Sequence, residues 1–168
     1  QHTTAKTQIE INAPASVIWQ EIIRVKPIHE PITGTFYKMG FPKPIEATLS
    51  HEGVGGVRHA IFDKGLVFIE TITDWENEKL LSFKIKADPK STPLTTLDAH
   101  VVVGGRYFDV LQGTYEIESI QKNKSILHLS SEFRISTNFN FYANLWGRFL
   151  MTDIQESILE VIKTRCEK

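Results

Sequence analysis

What this sequence lacks narrows its chemistry more than any motif it carries. One cysteine, Cys166, stands among 168 residues. That excludes a disulfide framework within the chain and any metal knuckle built on cysteine pairs. Neither sign of charge dominates, since 19 basic and 20 acidic side chains leave a formal net charge of −1. No basic run or stripe is present, so nothing supports a nucleic-acid partner. No apolar run approaches the roughly 20 residues that cross a bilayer as a helix. There is no Gly-x-Ser-x-Gly elbow, no Cys/His pairing, no internal repeat and no low-complexity tract. Neither a cofactor nor a resident metal is expected.

What is present reads as an ordinary globular composition, 41% hydrophobic and 23% charged. The length predicts one domain over residues 1–168 with a sizeable core. No signal peptide is visible, and the default expectation is a cytoplasmic protein. The chain opens on Gln1 rather than Met, so the soluble part of a longer anchored or exported precursor stays an open alternative. A homodimer is equally left open.

The last stretch, about residues 138–168, predicts one long amphipathic helix. Tyr142, Leu145, Trp146, Phe149, Leu150, Ile154, Ile158, Val161 and Ile162 recur at spacings of three and four and so share a face. Ser136, Thr137 and Asn138 suit its start, while Lys163, Arg165 and Lys168 suit its negative end. Nearly everything before it reads as strands. Alternation predicts strands over 7–11, 45–52, 56–62, 67–75, 80–87, 106–120 and 125–135, with a bulge at Gly113. Asn12-Ala13-Pro14 predicts a helix start, with Pro14 at the first helical position. That helix ends before Pro27. Residues 28–44 form a loop whose Phe36, Tyr37, Met39 and Phe41 are too apolar to hang in water, so a short helix or a cover over a pocket is expected.

Three segments carry a family resemblance. "IEINAPASVIW", residues 9–19, resembles the opening strand and helix start of the START-like (SRPBCC) superfamily. "FIETITDWENEKLLSFKI", residues 68–85, resembles its middle hairpin, and "FNFYANLWGRFLMTDIQESILEVIKTRCE", residues 139–167, its closing helix. The resemblance covers nearly the whole chain. It implies an α+β helix-grip fold of the Bet v 1 kind, a curved antiparallel sheet of about seven strands wrapped around the C-terminal helix. The superfamily includes lipid and hormone carriers, co-chaperone-type modules, polyketide aromatase/cyclases and oxygenase subunits. The resemblance therefore implies a cavity between sheet and helix for a hydrophobic small molecule, and fold says little more about function.

The expected ligand is a lipid or polyketide-like molecule, bound or carried. The alternative is a cyclase, dehydratase or hydrolase that uses a cavity histidine or carboxylate as general acid/base. Expected cavity aromatics are Tyr142, Trp146 and Phe149 from the helix, with Phe68, Phe83, Tyr107 and Phe108 from the sheet; plain core filling explains them equally well. Polar candidates are His51 and His59 on strand faces, Glu70 between Phe68 and Ile72, and Asp109. Such a group on an apolar face is partly desolvated and suited to orient a ligand or move a proton. Asp98, His100 and Arg106 add to Asp109 around the Gly104-Gly105 turn, at what would be the cavity mouth. His128 and Glu132 share a strand face with Arg134, as metal ligands can, but no third ligand is apparent and a solvated outer face explains them better.

Overall fold

The computed structural model describes residues 2–88, 90, 108–135 and 140–168, with no account of the side chains of 108, 140–144 and 146. The elements are β1 (His2–Ile11), α1 (Ala15–Ile23), α2 (Thr35–Lys38), β2 (Pro44–Leu49), β3 (Val57–Phe62), β4 (Val67–Glu76), β5 (Leu80–Ala87), β6 (Phe108–Gln121), β7 (Lys124–Ile135) and α3 (Asn140–Cys166). The seven strands form one antiparallel sheet in the order β1-β7-β6-β5-β4-β3-β2. β2 to β7 is an uninterrupted meander, and β1 closes it by pairing beside the last strand. α3 packs on β1 and β7 and meets α1 and α2. This is the expected curved sheet with a C-terminal helix.

Several local expectations are corrected. β1 begins at His2, earlier than alternation alone suggests, because its whole length pairs with β7 from His2 opposite Arg134 to Ile11 opposite Ser125. Pro14 caps α1 from outside with extended backbone (φ −72°, ψ 157°), and the first helical residue is Ala15. The bulges of β6 fall between Val110 and Gln112 and between Ser119 and Gln121. Gly113 is required for another reason: a Cβ there would sit 2.7 Å from the Phe83 ring. The glycine lets that ring approach the neighbouring strand closely.

The core falls into two parts. In the first, Trp19, Ile18, Ile22 and Ile23 of α1 meet Leu81, Leu127 and the later turns of α3 through Leu159 and Ile162. Trp19 and Trp75 touch edge to face, their centroids 4.9 Å apart. The second part gathers Phe36, Tyr37 and Phe41 around α2 with Leu66, Phe68, Val110, Phe133, Leu150 and Met151.

Candidate functional site

A cavity of about 120 Å³ lies between the sheet and α3. Its sheet wall carries Phe62, Phe68, Glu70, Phe83, Ile85, Val110, Gly113, Tyr115, Leu129 and Ser131. Its helix wall is Met151, Ile154, Gln155 and Ile158, and the α2 segment adds Tyr37, Phe41 and Pro42. The wall is overwhelmingly apolar with a few polar groups, the composition of a small-molecule site.

One buried charged pair reaches that wall through Glu70. Arg58 of β3 stands opposite Glu70 of β4, and its Nη1 lies 3.0 Å from Glu70 Oε2. The guanidinium also sits over the Phe83 ring, 4.8 Å from its centroid, an attraction that strengthens where water is excluded. The ion pair is close but poorly angled for hydrogen bonding. Arg58 Nε and Glu70 Oε2 both lack a hydrogen-bond partner among the described residues. Burial raises the Glu70 carboxyl above its ordinary value, with Arg58 opposing. Burial likewise pushes the Tyr115 phenol up to about 12, with Arg58 opposing and Glu70 adding.

Gln155 contrasts with that pair. Its Nε2 donates to Ala5 O (3.2 Å) and Ser131 Oγ (2.8 Å), and its Oε1 accepts from Thr7 Oγ1 (3.0 Å). A buried amide so fully engaged fastens α3 to β1 and β7.

The segment before β2 covers part of the cavity and is tied down at both ends. Arg165 grips Glu30 with two nitrogens, each at 3.1 Å, and donates to the carbonyls of Lys26 (3.0 Å) and Pro27 (2.9 Å). That contact holds the Glu30 carboxyl down to about 2. Asp153 accepts from the backbone N–H of Thr35 (3.3 Å) and Phe36 (3.0 Å), capping α2 from across the fold. At the far end Lys64 Nζ donates to Gly40 O, and Asp63 exchanges two hydrogen bonds with Lys43, at 2.8 and 2.9 Å. Both expectations for this segment, short helix and pocket cover, are met by one element.

The structure brings Phe68, Glu70 and Phe83 together in the wall. It places four other candidates elsewhere, namely His59, His51, Asp109 and Phe149. His59 is exposed, because Arg58 and Ala60 take the inner face of β3. His51 is exposed beyond the end of β2. Asp109 faces away from the cavity toward Arg134, 3.4 Å distant; the bulge after Val110 resets which residues point inward, so Val110 lines the site instead. Partial burial still raises the Asp109 carboxyl. Phe149 is 59% exposed and Leu145 62%. The inner stripe of α3 runs through Met151, Ile154, Gln155 and Ile158; Ile154 and Ile158 lie on the expected face, and Phe149 does not reach the cavity. Phe149 instead props the outside of the cover, its ring 5.5 Å from Phe36.

His128 pairs with Glu118 at 2.9 Å, and Glu132 with His2 at 3.1 Å, so the two do not converge. His100 and Tyr107, with Asp98 and Arg106, lie outside the described residues, as do the side chains of Tyr142, Trp146 and Phe108.

Arg58, Tyr115 and Gln155 were not singled out in the sequence, and Tyr37 was named only as part of the apolar 28–44 segment. A signal for Arg58 existed. The β3–β4 hairpin turns at Asp63–Gly65, and counting outward from it sets Arg58 directly across from Glu70.

No family profile and no curated protein matches this chain. Solved structures do. The Zhui aromatase/cyclase from Streptomyces sp. R1128 superposes with a TM-score of 0.58 at 14% identity, over 99% of this chain and 94% of that one. An uncharacterised protein from Rhizobium leguminosarum gives 0.57 at 12% identity, over 99% and 95%. Norcoclaurine synthase from Thalictrum flavum gives 0.52 at 15% identity, over 96% and 94%. At these identities the likeness is one of fold. The chain has the helix-grip fold of the START-like, Bet v 1-like proteins. Among the described residues no helix is long and apolar enough to cross a membrane.

Proposed function

We propose that this chain binds a small, uncharged, mainly aromatic molecule in the cavity between the sheet and α3. The observation that carries the reading is an apolar chamber containing one buried, incompletely hydrogen-bonded carboxyl, that of Glu70. Its volume, about 120 Å³, compares with the roughly 150 Å³ cavity that takes up benzene. A single ring fits. A lipid chain or a fused-ring polyketide requires the walls to move apart. Arg58 already faces Glu70, so a charged guest gains no unmatched counter-charge and loses its hydration.

A second reading has its own observation. The Glu70 carboxyl is raised by burial on the cavity wall, as suits a proton-transfer group. Structures of this fold include an aromatase/cyclase and a norcoclaurine synthase in complex with dopamine and hydroxybenzaldehyde. In the carrier reading Glu70 orients the guest; in the enzyme reading it also moves a proton.

Calorimetric titration with phenol tests both. Saturable binding that weakens in Glu70→Gln is expected, and absence of saturable binding by the wild type sinks the proposal. For any compound found to bind, turnover that vanishes in Glu70→Gln while binding persists selects the enzyme.

A further inference from the structure

Besides the Arg58–Glu70 pair, one other polar atom of the buried wall is unmatched. The Tyr37 hydroxyl is buried and has no hydrogen-bond partner among the described residues. Leaving such a group unpaired is unfavourable, and native interiors seldom do so without a reason. Tyr37 lines the cavity and belongs to α2, the element that Asp153 caps through two backbone N–H groups. The packing at this point leaves little freedom: a Cβ on Gly34 would stand 2.7 Å from Tyr37 Cδ2 and 2.9 Å from Asp153 Oδ2. The ring is thus set by its surroundings while its hydroxyl is left without a partner among the described residues.

We infer that Tyr37 determines ligand specificity, its O–H donating to an acceptor oxygen on the guest and so binding the guest to the α2 cover. The inference rests on the ligand-binding reading above and deepens it. The favoured guest is a single-ring compound with a carbonyl or ether oxygen, held at Tyr37. Glu70 contacts the same guest from the sheet, and Phe41 and Met151 supply apolar surface. Because Tyr37 rides on α2, this bond also opposes departure of the cover, so a guest with the acceptor slows exchange of the Phe36 amide held by Asp153.

Acetophenone and α-methylstyrene share shape and differ in one atom group, carbonyl oxygen against methylene. Their affinities for the wild type and Tyr37→Phe, by calorimetry, form the test. The wild type is expected to prefer acetophenone by about tenfold, the range of one buried hydrogen bond. Tyr37→Phe is expected to bring the two to parity with α-methylstyrene binding unchanged, and amide exchange at Phe36 no longer separates them. A preference that survives in Tyr37→Phe overturns the role of Tyr37 and leaves the ligand-binding reading standing, with Glu70 as the donor. Binding of α-methylstyrene without preference in the wild type does the same. Binding of neither compound removes the inference together with the reading beneath it.

Discussion

The two halves of the core are built to different rules. Around α1, Trp19, Ile22, Leu81, Leu127 and Ile162 bury their side chains almost completely. Around α2, Phe41, Phe68 and Met151 border a space they do not fill, with Glu70 and Tyr37 at its boundary and Phe83 and Tyr115 of the first cluster completing the wall. The first half has the close packing that specifies a unique fold. The second gives up packing contacts and hydrogen bonds that would have stabilised the chain. Stability resides in one region and the capacity to receive a guest in the other, a division expected where a site is held against a rigid scaffold.

The largest expected break in this contrast comes from the buried ions. Arg58→Leu strands the Glu70 carboxyl, and denaturant unfolding should show a loss of about 3–5 kcal/mol. The double change Arg58→Leu with Glu70→Leu should recover most of it. Equal losses in single and double variants would mean that Arg58 acts through its packing on Phe83 and not through its charge.

A smaller effect comes from making one enlargement in both halves. Ile22→Phe overfills the closed half and should destabilise by about 1–3 kcal/mol. Ile154→Phe extends into the cavity and should leave the unfolding midpoint nearly unchanged while abolishing phenol binding. Similar destabilisation by both would show that the chamber lacks the room described.

The smallest effect is one of pH. The Glu70 carboxyl is raised above 4.5 in the folded protein, so between 4.5 and that higher value the native state holds a proton that the unfolded chain releases. Stability attributable to Glu70 therefore falls as pH rises through this interval and levels off above it. Glu30 acts on the acid side: lowered from 4.5 to about 2, it contributes fully above 4.5 and is lost as pH falls toward 2. The windows do not overlap. Stability measured against pH in Glu70→Gln should lose the decline above 4.5 and keep the acid limb, whatever its absolute level.

The fold was legible because its signals are repetitive. Leu81, Phe83 and the alternation of Leu127, Leu129 and Phe133 mark a sheet with one buried face, and the apolar spacing after Gly147 marks a helix. Besides the aromatics Phe68 and Phe83, the site was legible where a polar residue had apolar neighbours at positions two before and two after, as Glu70 has in Phe68 and Ile72. His59 has Val57 and Ile61 in those positions and still points outward. Arg58 and Ala60 take the inside because the hairpin pairs them with Glu70 and Phe68, and pairing outranks a residue's own neighbours. Asp109 was misplaced by a bulge, which alternation does not reveal. On α3, Gln155 occupies the middle of the inner stripe, while Phe149 lies outside it. Hydrophobicity ranks those two in reverse, since it does not register three satisfied hydrogen bonds or the Phe36 ring that Phe149 packs against.

Asp153 and Arg165 are twelve residues apart on α3, a separation of about 18 Å along the axis, and each holds a different point of the chain preceding β2. One stiff rod thus carries both fastenings. A tilt of that rod strains the two anchorages at once, whereas bending at the Lys64 end leaves them intact. Traffic into the chamber should accordingly depend more on the β3–β4 turn than on any shift of the terminal helix.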